Sequence, residues 1–303
     1  MFQRFATHAM GTRFELVLEG EGEARARALA EAVWEELREC EARWSVFAAG
    51  SLLSKVNREA PSRPVAVDPE TLALLEEALE CWRATGGWFD PALGGEMARW
   101  GFRDGTLEEE PAAAPPRGGA PFVLERAACT VAALRGALDL GAVAKGFALD
   151  LSGELLREEG VTCALLHGGT SSVLALGAPA GADGWSVALA EEPEAPRALL
   201  RDAALAVSCN SGRRVGEAGH LLDPHTGRPT THDALVAVVA GRASRADAWA
   251  TALCASGSGA VASPLPGDLR VLLRPSLDED AWRDLSGDHS PFRFPLPATT
   301  GIR

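Results

Sequence analysis

Residues 139–150 read Asp-Leu-Gly-Ala-Val-Ala-Lys-Gly-Phe-Ala-Leu-Asp, placing the chain's rarer cation among its smallest side chains. There are 27 arginines but only two lysines, Lys55 and Lys145. A compact ammonium between Ala144 and Gly146 can approach a phosphate where a broad guanidinium cannot, and small neighbours let the backbone pass close to a ligand. Taken alone, the stretch also describes a helix start with a solvated lysine. A second pair, Asp247 and Thr251, lies four residues apart in a segment of helical composition, so both oxygens project from one face. A carboxylate with a hydroxyl is the hard-oxygen set that Mg2+ takes, with water and substrate phosphate completing the shell. The competing reading is a surface acid near a helix N-terminus, where its charge favours the dipole.

Two looser clusters accompany these. Ser208-Cys-Asn210-Ser211-Gly212-Arg213 precedes Gly219-His220-Leu221-Leu222-Asp223-Pro224-His225-Thr226-Gly227. The Asp-Pro-x-Thr-Gly portion is turn chemistry, whereas His220, ahead of an apolar pair, reads as a satisfied buried histidine, a proton shuttle or a phosphate donor. His220, His225 and His232 have spacings of five and seven on a Pro/Gly loop, which suits zinc poorly. Gly168-Gly169-Thr170-Ser171-Ser172 follows an apolar run and could cradle a phosphate or ribose, but it lacks the full dinucleotide or P-loop pattern.

These groups need elements to hold them. Phe14, Leu16 and Leu18 alternate as in a half-buried strand. Residues 21–44 carry an apolar stripe of Ala26, Leu29, Ala30, Val33, Leu37, Cys40 and Trp44, the mark of an amphipathic helix. Asp68-Pro69 starts another helix, with Leu72, Leu75, Leu79 and Trp82 on its face and Gly86-Gly87 as its stop. A third follows Lys145. Apolar runs near 161–166, 172–176, 185–190, 204–208, 234–240 and 269–273 read as strands. Turns, not helices, separate several of them, so the expected class is α+β: a single large mixed domain over 1–303, with an antiparallel-rich sheet and packed helices. Residues 104–121 read as an exposed loop, and the chain from about 275 as a loosely packed tail.

Composition bounds the function. The chain has 303 residues, 47% of them hydrophobic, enough for a large core. A net charge of -13 opposes nucleic acid and anionic membranes as partners. The six cysteines are widely spaced without a Cys-x-x-Cys pair, which fits buried reduced thiols. No apolar run is long enough for a signal peptide or membrane span, so the expected location is cytoplasmic, or exported only if a leader was removed.

The ordered set of motifs resembles the ApbE-type FAD:protein FMN transferases. It comprises Met10-Gly11-Thr12, Trp44-Ser45 with Asn57 beyond, Gly87-Trp88-Phe89-Asp90-Pro91, Asp139 through Asp150, Gly168-Gly169, Ser211-Gly212, His220 through Gly227, and Ala246-Asp247 with Thr251. The resemblance implies an ApbE/T-fold-like architecture and FAD as substrate, bound across Met10, Phe47, Trp88, Phe89, Asp90, Asp139, Lys145 and Leu221. It implies Mg2+ held by the backbone oxygen of Ala142 with Asp247 and Thr251. The implied reaction moves FMN from FAD to a Ser or Thr hydroxyl of an acceptor flavoprotein and releases AMP, with His220 and Lys145 as catalytic groups. Phe47 stands where the family usually has Tyr, Thr170 where it has an acid, and Asn210 where it often has Thr. A non-catalytic FAD-binding protein and an FAD pyrophosphatase are the alternatives.

Overall fold

The computed structural model describes residues 1–102, 118–210, 214–215, 218–257, 265–277 and 281–286. In chain order the elements are β1 (Phe2–Ala9), β2 (Thr12–Glu19), α1 (Glu23–Trp44), α2 (Leu52–Glu59), β3 (Val65–Ala66), α3 (Pro69–Ala84), α4 (Gly94–Arg99), β4 (Val123–Glu125), β5 (Thr130–Ala132) and α5 (Ala144–Glu158). There follow β6 (Ala164–Gly168), β7 (Ser172–Leu176), β8 (Trp185–Ala188), β9 (Arg197–Leu200), β10 (Ala203–Cys209), β11 (Arg214–Val215), β12 (Ala218–Gly219), β13 (Leu222–Asp223), β14 (Arg228–Pro229), β15 (Leu235–Ala240), α6 (Ala243–Ser256), β16 (Arg270–Arg274) and β17 (Arg283–Asp284).

Eight strands form the main sheet in the order β1-β2-β6-β7-β10-β15-β16-β17. Each neighbouring pair is antiparallel. Side chains alternate across it. Leu16, Leu166, Leu174 and Val238 point to the face covered by α1, α5 and α6, where they join Leu37, Leu149 and Trp249 in the main core. Leu165, Val173, Leu205 and Val239 point to the other face and pack under Trp185 and Leu200 of the β8–β9 hairpin. Coverage on both faces explains why β7 and β15 read as unbroken apolar runs instead of alternating ones. The α+β class with an antiparallel sheet is therefore the observed one.

The α1 stripe is buried as expected, with Trp34 added to it. In α3, Asp68 caps the helix by accepting from the Thr71 N–H at 2.8 Å, and Pro69 opens it. Its buried face is Leu74, Leu75, Ala78, Leu79 and Cys81, rotated from the expected stripe, so Leu72 and Trp82 are only half-buried. The strand expected from 161 begins at Ala164 because Val161 finishes the preceding helix. Gly160, at φ +77, and Val161 donate to the Arg157 and Leu156 carbonyls, closing α5 with a Schellman motif. Sequence patterning gives no sign of β1; it is the sheet's edge strand, alternately exposed, and lacks a strong apolar face.

Only 118–121 of the expected loop, and 275–277 and 281–286 of the expected tail, lie within the described residues. Within the tail, Arg283 and Asp284 pair with Leu273 and Leu272, so this part joins the sheet as β17. Four of the six cysteines are buried and none of the six forms a disulfide.

Candidate active site

The centre of the site is the crossing of α5 and α6. Neither helix has a side-chain cap from its own N-cap residue, Val143 or Arg242. Each is capped by the other. Asp247 of α6 accepts the Gly146 N–H in the first turn of α5 at 2.9 Å, and its second oxygen accepts from the Ser172 hydroxyl at 2.7 Å. Asp150 of α5 accepts the Ala243 and Ser244 N–H groups at the start of α6 at 2.7 and 3.1 Å, and the Ser244 hydroxyl at 2.7 Å. Gly146 makes the approach possible: a Cβ there would run into the Ala243 carbonyl and lie 2.6 Å from the Ser244 nitrogen.

Asp247 is thus no surface acid. It is 5% exposed, and the dipole it serves belongs to α5 rather than to its own helix. Burial pushes its carboxyl above the usual carboxylate range, opposed by the Lys145 charge, the Ser172 hydroxyl and the Gly146 N–H. Among the described residues it has no ion pair, and each oxygen keeps a lone pair free of its hydrogen bond. Thr251, half-buried, lies one helical turn farther along α6. Lys145 is the second residue of α5, and its Nζ lies 3.4 Å from the Gly141 carbonyl oxygen. The described residues hold no cluster of three or more His, Cys, Asp or Glu able to bind a metal. A cation here would therefore depend on a mixed set: Asp247, the Thr251 hydroxyl and a carbonyl from the turn before α5. All of those are hard oxygens, the donor chemistry that Mg2+ accepts.

The remaining motifs connect to this crossing through short contacts. In the β1–β2 hairpin Ala9 pairs with Thr12, leaving Met10 and Gly11 as a two-residue turn at φ +50 and +73. A bulky non-glycine residue held left-handed is uncommon, and such strain gathers at ligand sites. Thr12 packs on Gly169, where a Cβ would come within 2.6 Å of its hydroxyl, which explains why the Met-Gly-Thr and Gly-Gly motifs occur together. The expected phosphate cradle thus supplies Ser172 to Asp247. On the far side, Asp139 accepts the Gly141 N–H at 2.9 Å and donates its own N–H to the Pro91 carbonyl at 2.8 Å. Asn57 clamps this strand of backbone, bonding both the N–H and the carbonyl of Leu138. The sequence shows Asn57 only as a member of the motif set, because a side-chain amide satisfying one residue's two backbone groups leaves no sequence signal of its own.

Asp90 is tied down by Arg135 at 2.5 Å and by the Ala92 N–H. Trp88 meets His225 edge-on, ring centroids 4.6 Å apart. A cleft of about 90 Å3 is lined by Trp82, Gly86, Gly87, Asp90, Gly119, Arg135, Pro224 and His225. A larger groove, along α3 and β4, contains none of the residues expected to hold flavin. Phe47 is 64% exposed, a large apolar ring presented to solvent at the turn after Trp44. Phe89 and Leu221, by contrast, are 2% and 7% exposed, their side chains in the main core, so any ligand contact at these positions falls to the backbone and to their neighbours. Asn210 braces the segment after β12, accepting from Leu221 N–H and donating to the Thr230 carbonyl, while Gly219 lies against its amide. His220 sits half-buried between β12 and β13. Ser211-Gly212 lies outside the described residues.

The comparisons with known proteins bear on this arrangement. The model of the ApbE family matches residues 10–270. This chain belongs to the ApbE family. The match takes in every motif described above, from the Met10 turn to α6. A relative from Rhodobacter capsulatus named FAD:protein FMN transferase is 33% identical over 266 residues, covering 82% of this chain and 50% of that protein. The chain thus spans about half the length of that relative. A protein of the same name from Treponema pallidum is 32% identical over 264 residues, 76% of this chain and 71% of the relative. Among solved structures, the ApbE protein of Thermotoga maritima superposes with a TM-score of 0.80 at 25% identity over 90% of this chain and 94% of that one. The flavin transferase ApbE of Vibrio cholerae gives 0.77 at 24% identity over 97% and 99%, a likeness of fold.

Proposed function

We propose that this ApbE-family chain transfers FMN from FAD to a Ser or Thr hydroxyl of an acceptor flavoprotein, with Mg2+ as cofactor. The names of the curated relatives support the activity. The observation that carries the site is Asp247: a buried carboxylate without an ion pair among the described residues, hydrogen-bonded to the first turn of α5 beside Lys145. A desolvated charge in that position calls for a cation, and one turn of α6 and the bend before α5 offer the remaining hard oxygens. Asp247, Thr251 and the Ala142 carbonyl would hold Mg2+, which when bound neutralises the diphosphate and aligns it.

The protein's own groups do the rest. The Met10 turn, Phe47, Trp88 and Asp90 receive the flavin end, with Phe47 keeping a stacking face without a hydroxyl. Lys145 holds the diphosphate, its ammonium offsetting charge that grows on the leaving side, while Asp139 lines the FAD site and braces the bend before α5 through the Gly141 N–H. The acceptor hydroxyl oxygen forms a bond to the FMN phosphorus, the bond from that phosphorus to the bridging oxygen breaks, and AMP departs with the bridging oxygen. His220 takes the hydroxyl proton. Positioning and charge neutralisation account for most of the rate in such transfers.

The test is an Asp247→Ala substitution assayed for AMP release from FAD with Mg2+ present. AMP release should be lost while FAD binding, read by quenching of tryptophan fluorescence, stays close to wild type. Unchanged turnover would remove Asp247 from the metal site.

A further inference from the structure

The reading of Asp247 and Thr251 as metal ligands leaves Asp150 without a part in the reaction. Asp150 is 5% exposed, and among the described residues its carboxylate accepts hydrogen bonds from the first residues of α6: the Ala243 N–H, the Ser244 N–H and the Ser244 hydroxyl. Arg242, just before the helix, adds an ion pair at 3.4 Å. Burying a carboxylate is costly unless its oxygens are satisfied, and among the described residues the end of another helix satisfies them. A helix whose first N–H groups lack partners frays. α6 gets no cap from its own N-cap residue, so Asp150 fixes where the helix begins. Asp247 lies one turn inside that start, and Thr251 a turn beyond.

The arrangement is reciprocal, since Asp247 returns a hydrogen bond to α5 at Gly146. Lys145 and the turn carrying Ala142 belong to α5's end of the exchange; Asp247 and Thr251 belong to α6's end. We propose that Asp150 is a positioning residue: by capping α6 from α5 it sets the spacing between the two halves of the cation site, without touching cation or substrate. This rests on the metal reading given above.

Asp150→Asn is the probe, because the carboxamide keeps the shape but turns an NH2 toward backbone N–H donors. Binding of Mn2+ alone, followed by electron paramagnetic resonance well below the melting temperature, reports on the cation site without any turnover. The expected result is a loss of Mn2+ affinity of roughly 10–100-fold, the range typical when a group orienting a metal ligand is altered, with FAD quenching retained. A residue that only stabilised the fold would lower the melting temperature and leave Mn2+ affinity as in the wild type, and that result overturns the proposal. If Asp150→Asn does not fold, Ser244→Ala decides: it removes one of the three hydrogen bonds to Asp150, weaker Mn2+ binding supports the proposal and wild-type binding overturns it. Asp247→Ala separates the two ideas. Wild-type Mn2+ affinity in that variant overturns the metal reading and this proposal together, whereas loss there with wild-type affinity in Asp150→Asn overturns this proposal alone.

Discussion

At the residue scale the roles proposed for Lys145 and His220 differ, and the two should fail differently. Lys145 lies in the first turn of α5 with its Nζ 3.4 Å from the Gly141 carbonyl oxygen, and its proposed part is to act on bound FAD as well as on the charge that develops during transfer. His220 is proposed to move a proton, which contributes roughly 10²–10⁴-fold to turnover and little to ground-state affinity. Accordingly, steady-state kinetics of His220→Ala should show a large fall in maximal rate at nearly unchanged FAD affinity. Lost affinity with a preserved rate would make the histidine a ligand-positioning group instead. The flavin end has its own reporter. The chain has eight tryptophans and no tyrosine, and Trp88 is half-buried against His225. FAD should quench intrinsic fluorescence saturably, and Trp88→Ala should lose most of that signal; absence of quenching in the wild type would count against flavin at this face. The types and spacing of Lys145, Asp247 and Thr251 were legible in the sequence. The roles of Asp150, Ser172, Asn57 and Arg135 were not, because each acts on a partner at least 45 residues away, and no local pattern encodes such a pair.

At the scale of elements, the α5–α6 crossing depends on one glycine. Replacing Gly146 by Ala places a methyl against the backbone of Ala243 and Ser244, atoms that cannot rotate away. Overpacking of this kind costs about 1–3 kcal/mol, and it also pushes apart the two ends that share the reciprocal caps. Gly95 in α4 is the control, since a Cβ added there would meet nothing within 4 Å. Removing a flexible residue there at a compatible conformation should stabilise by about 0.4–1 kcal/mol. Thermal unfolding should therefore move down for Gly146→Ala and up for Gly95→Ala; equal shifts would show that the crossing tolerates separation. Helices were the more legible elements. The periodicity of α1 and the Asp-Pro start of α3 are local signals, whereas the rotation of the α3 stripe depends on which neighbours cover it. Likewise Val161 looks like a strand residue until Gly160 turns it back onto α5.

At the scale of the whole molecule, an eight-stranded antiparallel sheet presents one face to α1, α5 and α6 and the other to a covering hairpin. That class was readable from turns falling between apolar runs; the strand order was not, since β2 pairs with β6 across the intervening helices. No helix among the described residues is long and apolar enough to cross a membrane. Stability against acid is a property of this whole assembly with a defined contribution from His167. Burial holds its imidazole below the ordinary value of 6.5, with Glu15 opposing. The unfolded chain therefore takes up the proton more readily, so this contribution is complete above pH 6.5 and is lost as pH falls towards the folded-state value. Denaturant unfolding of His167→Gln should show a shallower loss of stability below pH 6.5 than the wild type; an equal or steeper loss would place the acid sensitivity elsewhere. The destination of the FMN separates transfer from hydrolysis. Co-expression with an acceptor flavoprotein, followed by intact-mass measurement of that acceptor after denaturation, tests it most directly. The acceptor should carry one covalently attached FMN, absent with the Asp247→Ala chain. An unmodified acceptor, with free FMN and AMP accumulating from FAD, would contradict transfer and leave hydrolysis as the activity.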